Sequence, residues 1–535
     1  MNPSRLALPL YFVAASCWSP GASKESADEQ VYAILASASQ QVTGATRPFT
    51  VERPVDTLRQ RLVAGKEPVR LSLAEALDVA AENSRDFQSQ KEQLYLAALN
   101  LTRSLHDFAW RFGGGGSAEV SGESDETADV NLGTDLSAAA NSVYGTRVVA
   151  SFVNTFLRSV VSGGSFDGGS ILNLTLTQPL LRGAGRRIVR EPLTQSERDV
   201  VYAMRAFERF RSDFAAGVVS DYWNVVRQAA DLANVEANYA SILTDSERIQ
   251  ELFVADRATI TDLGRARQSQ YAGDAQRVAA KNRLQSALDR FKLTLGLPVA
   301  AQVDLDPAEL DKLVATGVQA IDIAEADALA LALSRRLDHR TTVDEVEDAG
   351  RRILVAEDAL GMALDFTAAL NVPAESGKGL NLDWSRVNWS AGFELDLALD
   401  KLVERNALRS ALITMDRSLR SREASEDQVA ADVRASLRDI QSALDTHRIQ
   451  TLAVELANQR VEAQTDLYTA GRVEARELLD AKDDLLQARL DLTAATVDYA
   501  IARLQLMNNL EAIALEPTGL RFDPTLPMPQ SKPAE

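Results

Sequence analysis

Two stretches of this chain run for more than sixty residues with almost nothing to stop a helix, and few folds can use helices that long. From about Arg186 to Phe253 the only breakers are Pro192 and Gly217, and from about Leu402 to Leu467 there is neither proline nor glycine. At ~1.5 Å per residue each stretch spans on the order of 100 Å, whereas helices in globular proteins average about three or four turns. After short interruptions near 255–260 and 470–475, roughly 40 more helical residues follow each time. Helices of this length find their apolar partner along another helix, so the pattern predicts two antiparallel coiled-coil hairpins. In the second return helix Leu478, Leu485, Leu492 and Tyr499 recur every seven residues, with Ala481, Ala488, Ala495 and Ala502 between them. The first return helix is rougher: Leu263, Ala266, Ala280, Leu284 and Ala287 keep the register, but Gln270 and Arg277 fall in it too.

The two hairpins belong to an internal duplication. "LSLAEALDVAAENSRDF" (71–87) lies over "IDIAEADALALALSRRL" (321–337), and "LFVADRATITDLGRAR" (252–267) over "LYTAGRVEARELLDAK" (467–482). The first pair is offset by about 250 positions and the second by about 215, so repeat one carries extra residues between its markers. The Gly/Ser-rich region 112–170, with "FGGGGSAEVSGESDETADV" and "SGGSFDGGS", cannot be helix and reads as a long loop that holds them.

Between helix start and hairpin each repeat has alternating segments. "SILNLTLTQ" (170–178) sets Leu172, Leu174 and Leu176 against Asn173, Thr175 and Thr177; "FELDLALD" (393–400) sets Phe393, Leu395, Leu397 and Leu399 against Glu394, Asp396 and Asp400. "DVNLGTDL" (129–136) and "RVVASFVNTF" (147–156) are weaker candidates, and Trp384 and Trp389 accompany a strand in "NLDWSRVNWSAG" (381–392). Period-two alternation gives one apolar and one wet face. The apolar face would meet a core in a soluble protein, or lipid in an outer-membrane barrel; alternation alone leaves both open.

The formal net charge of −19 offers no basic footprint for nucleic acid. The acidity reads either as a solvated helical surface or as a field that favours cations inside a pore or cleft. The N-terminus, "MNPSRLALPLYFVAASCWSPGAS", has one basic residue, a short apolar stretch and small residues, the form of a signal peptide. Cys17, the only cysteine, follows Ala14-Ala15-Ser16 and resembles a bacterial lipobox, which predicts a diacylglycerol anchor; an ordinary signal peptide cleaved near Ala22 is the alternative. No intrachain disulfide can form. His106, His339 and His447 are scattered, and no metal-ligand spacing or phosphate loop occurs. Neither a catalytic constellation nor a cofactor is expected.

Helix, strands and a long helical hairpin, twice over and behind a lipoprotein-type signal, resemble the TolC family of outer-membrane channel proteins. "LSLAEALDVAAENSRDF", "LTLTQPLLRGAGR" (174–186) and "LYTAGRVEARELLDAKDDLLQARLDL" carry the resemblance, which covers roughly residues 68–516. It implies an α+β membrane protein, a homotrimer with a shared twelve-stranded outer-membrane β-barrel and a long periplasmic α-helical barrel. The domains are then a signal peptide (1–16), an N-terminal tail (17–67), repeat one (68–300), a linker (301–320), repeat two (321–516) and a proline-rich tail (517–535). Repeat one has two strands near 129–156 and 168–180 and its hairpin tip near 255–260. Repeat two has two strands near 381–400 and its tip near 470–475.

The implied function is a passive exit duct in the outer membrane, reaching into the periplasm. It serves a tripartite efflux pump or type I secretion system with an inner-membrane transporter and a periplasmic adaptor. The alternative is a periplasmic coiled-coil tether without a lumen. By the same resemblance Arg257, Ala258, Thr259 and Ile260, with Gly471, Arg472, Val473, Glu474 and Ala475, are the adaptor-docking tips. Glu477 and Asp480 form acidic rings at the pore entrance, their alternative being a solvated face paired with Arg476 or Lys482. Tyr468 lies at the gate with Asp262, whose expected partner is Arg472, because Val473 stands where the family has arginine.

Overall fold

A computed structural model describes residues 20–65, 69–123, 127–159, 167–306, 309, 318, 321, 323–374, 381–513 and 515. The signal segment with Cys17, the proline-rich tail and most of the linker 301–320 lie outside the described residues. The chain divides into two units, one of residues 1–46, 94–204 and 341–423, the other of 47–93, 205–340 and 424–535.

The first unit is built on one antiparallel meander: β2 (Arg111–Glu123), β3 (Thr127–Asn141), β4 (Arg147–Ser159), β5 (Asp167–Pro179), β7 (Ala363–Pro373) and β8 (Asn388–Asp396), adjacent in that order. β1 (Val69–Leu71) and β6 (Val303–Leu305) belong to the other unit. The register puts Leu136, Phe152, Leu172 and Val372 in one cross-strand row, and Ala138, Ala150, Leu174, Leu370 and Trp389 in the next. Because side chains alternate between faces, the opposite face collects Ser137, Ser151, Asn173, Asn371 and Asn388. There Asn371 donates to Asn173 at 2.8 Å and Asn173 to Ser151 at 3.4 Å. One polar row, Thr134–Asn154–Ser170, crosses the apolar face, with Asn154 and Ser170 buried and all three joined by side-chain hydrogen bonds.

The meander corrects the expected strand list. Four strands, rather than two, precede the first hairpin, and the partner of β8 is β7 at 363–373 instead of a segment near 381. The glycine run 113–116 is strand, paired residue by residue with Ser137, Leu136, Asp135 and Thr134. Glycine lowers intrinsic strand preference, but a long antiparallel partner supplies the backbone bonds that composition does not advertise. β7, "ALDFTAALNVP", was hidden by its alanines and its position only a few residues beyond a helix. The β3–β4 turn requires Gly145, at φ +92°, where a Cβ would meet Pro179, Gly183 and Val189.

Residues 17–67, expected as a tail, contain two helices, α1 (Pro20–Thr43) and α2 (Leu58–Ala64). α1 buries Val31 and Leu35, and its Asp28 accepts a 2.6 Å hydrogen bond from Tyr95 of α4 (Arg85–His106). The helical part of the first unit is also tied by Asp348 on α8 (Leu337–Ala359). It accepts from Arg198 at 2.7 Å and Tyr202 at 2.8 Å on α5 (Glu191–Val254), and pairs with Arg351 at 2.9 Å. Burial works against the Asp348 charge, but the Tyr202 and Gln195 hydrogen bonds and the two arginines outweigh it and hold its carboxyl below the usual range.

In the second unit α3 (Leu73–Asn83) starts on a capping box in which Ser72 and Glu75 satisfy each other's backbone donors. Its counterpart α7 (Glu325–Arg335) has Ala324 at the cap and no such bond. The parallel pair β1–β6 lies beside Tyr222, fully buried, whose hydroxyl donates to the Leu71 carbonyl at 3.2 Å. Phe87, Phe207, Phe210 and Phe214 pack with ring centroids 5.5–6.1 Å apart. Two hairpins complete the unit: α5 from residue 205 onward with α6 (Ile260–Thr294), and α9 (Leu402–Thr469) from residue 424 onward with α10 (Ala475–Asn509). α5 and α9 are 64 and 68 residues long. Every predicted seam position of α10 is buried or half-buried, from Leu478 and Ala481 to Tyr499 and Ala502.

Candidate functional site at the hairpin tips

Both hairpins turn with one backbone pattern. In the first, Ala255, Asp256 and Arg257 donate to the carbonyls of Glu251, Phe253 and Leu252 at 2.8–3.1 Å; in the second, Ala470, Gly471 and Arg472 donate to Asp466, Tyr468 and Leu467 at 2.9–3.0 Å. The six-residue closure, Arg257 to Leu252 and Arg472 to Leu467, is that of a Schellman-type helix end. It needs a left-handed residue, which is Asp256 at φ 57° in one tip and Gly471 at φ 67° in the other.

Beyond the turn the two tips differ. Thr259 caps α6 and shares a capping box with Asp262, whose carboxylate accepts from the Thr259 hydroxyl at 2.6 Å and its backbone N–H at 3.1 Å. Glu474 occupies the cap position of α10 without a side-chain cap bond, and its carboxylate instead accepts from Arg265 of α6 at 3.2 Å. The two hairpins are therefore joined by Arg265 and Glu474. Asp262 is engaged on its own helix, and no Asp262–Arg472 contact forms among the described residues. Arg265 was missed because sequence alone does not show which side of α6 meets the second hairpin.

Beneath the tips Ile249, Ala266 and Ala475 form a small apolar cluster against which Tyr468 packs. Ala475 is 2% exposed and unavailable to a docking partner, which corrects its place among the tip residues. Arg257, Thr259, Ile260, Gly471, Arg472 and Glu474 are exposed, with Ala258 and Val473 half-exposed. Burial first, then the nearby Asp262 charge, raises the Tyr468 phenol above its ordinary range.

Glu477 and Asp480 lie in the first turns of α10, both exposed, with Arg476 reaching Asp480 at 3.4 Å. Lys482 points elsewhere, into a largely shielded ion pair with Asp245 of α5, and donates to Ser241 at 2.7 Å. Asp483 adds a third acid one step further along α10. Lost solvation raises its carboxyl pKa, with the charges of Asp480 and Asp484 adding to the shift. The arrangement is a run of carboxylates spaced three apart, with Arg476 paired to one of them and Lys482 committed to Asp245.

Residues 328–510 match the family described as outer membrane efflux protein. Outer membrane protein TolC of Escherichia coli (strain K12) is 23% identical over 304 residues, which cover 54% of this chain and 59% of that one, so the match spans less than two thirds of the relative. The fold resembles the Campylobacter jejuni CmeC outer membrane channel, with a TM-score of 0.60 at 14% identity over 82% of this chain and 85% of that one. It also resembles the open state of the Neisseria gonorrhoeae MtrE outer membrane channel, with a TM-score of 0.60 at 14% identity over 88% and 95% of the two chains.

Proposed function

We propose that the protein is the outer-membrane exit duct of a tripartite efflux pump or type I secretion system. In this reading it is a homotrimer of two-repeat chains (68–300 and 321–516), its sheets joined in a shared barrel and its hairpins in a periplasmic tube. An anchor at Cys17 would hold it to the membrane. An adaptor would dock at the exposed tip residues, and an inner-membrane transporter would supply energy.

The observation that carries the reading is the two-faced meander. Its apolar rows and its Asn/Ser/Asp face suit a wall with lipid on one side and water on the other. A periplasmic tether has no use for such a wall. No described helix is long and apolar enough to cross a membrane. Ile449, Leu452 and Leu456, exposed at helical spacing on α9, give the second hairpin an apolar stripe for a neighbouring copy. In a trimer Glu477 and Asp480 would each occur three times, as stacked carboxylate rings that favour cations.

The test is single-channel recording of the purified protein in planar bilayers. The parent is expected to conduct with cation preference and block by divalent ions, and Glu477→Ala with Asp480→Ala to lose both. Unchanged selectivity would remove the rings from the proposal; a water-soluble monomer that forms no channel would remove the duct.

A further inference from the structure

We infer that each protomer contributes six strands to the membrane wall, so that three copies close an eighteen-stranded barrel through β8 of one copy and β2 of the next. The inference rests on the duct reading above and departs from the four strands per chain that the family resemblance implies.

The question is whether β2 and β3, the strands beyond the expected four, belong to the wall or hang from it as a decoration. The register answers first. The apolar face of β4 and β5 continues into β3 and β2 on either side of the Thr134–Asn154 row: Phe152 faces Leu136, Ala150 faces Ala138 and Ala138 faces Phe112, while Phe156 faces Leu132 and Leu132 faces Ala118. On β2, Phe112 and Val120 share that face and are 82% and 72% exposed, which is costly in water and favourable in hydrocarbon. The other face continues as Ser117, Glu119, Asn131, Asp135 and Ser137, the same polar chemistry as Asn173 and Asn371. A hairpin standing in water would have no reason to keep one face apolar and in phase with the wall.

Length and connection agree. β2, β3 and β4 have 13, 15 and 13 residues, where a tilted membrane strand needs about 9–11. Trp110 and Tyr144, both more than half exposed, sit at one end of the sheet, beside the start of β2 and in the β3–β4 turn. Aromatic residues at the strand ends suit the interface girdle of a membrane barrel.

The edges then require closure. β2 pairs only with β3 and β8 only with β7, so each presents a row of unmatched backbone groups. Hydrocarbon offers them no partner, which is why open sheets do not span membranes. The six strands do not close on themselves, and the smallest membrane barrels have about eight strands. A second copy is the partner that matches. Strands alternate in direction through an even-numbered meander, so β8 of one copy meets β2 of the next antiparallel, with apolar faces on the same side. Barrel diameter grows roughly linearly with strand number, so eighteen strands give a wall about 1.5 times as wide as twelve. Gly113, Gly115, Ser117, Gly133 and Ser137 keep the added lumen surface free of bulk.

The test uses the full-length trimer in a Cys17→Ser background. Cysteines at Ser117 and Ser121 of β2 are combined with cysteines at Ser390 and Glu394 of β8 and oxidised. Spin labels at Leu132, Leu136, Ser117 and Ser137 report access of lipid-soluble oxygen and of a water-soluble nickel complex. The inference expects disulfide-linked dimers and trimers through β2–β8. It also expects Leu132 and Leu136 to be several-fold more accessible to oxygen than to nickel, with the order reversed at Ser117 and Ser137. Trimers that cross-link only through Ser151 or Thr155 of β4 and β8, with Leu132 and Leu136 open to nickel, would overturn the six-strand wall and leave the duct intact. A monomer that never cross-links between copies would overturn the duct itself.

Discussion

The two hairpin tips share a backbone and differ in almost every side chain that supports it. Each corresponding donor and acceptor is 215 positions apart, yet the left-handed residue is an aspartate in one tip and a glycine in the other. The first return helix is capped by its own Thr259 and Asp262, whereas Glu474 of the second is turned outward to Arg265. The turn is dictated by the need to reverse a long helix. The supports were free to diverge, and the second tip has exchanged a local cap for a link between hairpins.

The largest expected asymmetry lies just behind the tips. Lys482 is committed to Asp245 and Ser241 with little solvent access, while Arg267, at the equivalent position of the first return helix, is exposed. Lys482→Ala leaves a shielded carboxylate without its cation and should cost about 2 kcal/mol; Arg267→Ala should stay within about 0.5 kcal/mol. Thermal unfolding midpoints in detergent measure both, and equal shifts would break the comparison. Next comes the turn residue. Gly471→Ala should lose about 1 kcal/mol because alanine resists positive φ, whereas Asp256→Gly should be neutral or gain a few tenths of a kcal/mol. If both lose stability, the tips do not share the backbone requirement.

The smallest effect is a pH dependence. Tyr468 corresponds to Phe253 of the first hairpin, and burial raises its folded pKa above the ordinary value near 10. Below that value the phenol is neutral in both folded and unfolded chains and its contribution is intact. As pH rises through 10 the unfolded chain ionises first, and stability falls until the folded phenol ionises too. Tyr468→Phe should therefore flatten the alkaline decline in unfolding midpoint above pH 10, and Phe253→Tyr need not steepen it. An unchanged alkaline profile in Tyr468→Phe would remove Tyr468 from the packed cluster.

The helical half of the molecule was legible because periodicity is a local property. Leu478 to Tyr499 announce a seam every seven residues, and "AGR" announces its end. The sheet was only half legible. Leu172, Leu174 and Leu176 alternate strongly enough to read alone, but "FGGGG" becomes a strand only because Ser137, Leu136, Asp135 and Thr134 lie opposite it, and pairing between strands is not written in either one. The same limit governs the site. The position of Gly471 followed from the chain, but the engagement of Asp262 with Thr259, the burial of Ala475 and the bridge from Arg265 to Glu474 depend on which helix faces which.

Three residues at each end, Val69–Leu71 and Val303–Leu305, lie side by side with the first hairpin and the first four strands of the meander between them in sequence. Arg59 reaches the Gly296 carbonyl at 2.5 Å, and Asp306 donates its backbone N–H to Leu71 at 3.2 Å, beside the same pair. This clasp turns the first repeat into a closed ring of chain. A ring can be opened at one point without coming apart: a protease nick in the exposed residues 255–257 would leave both fragments buckled together, and that tip is a natural place for new termini in a circular permutant.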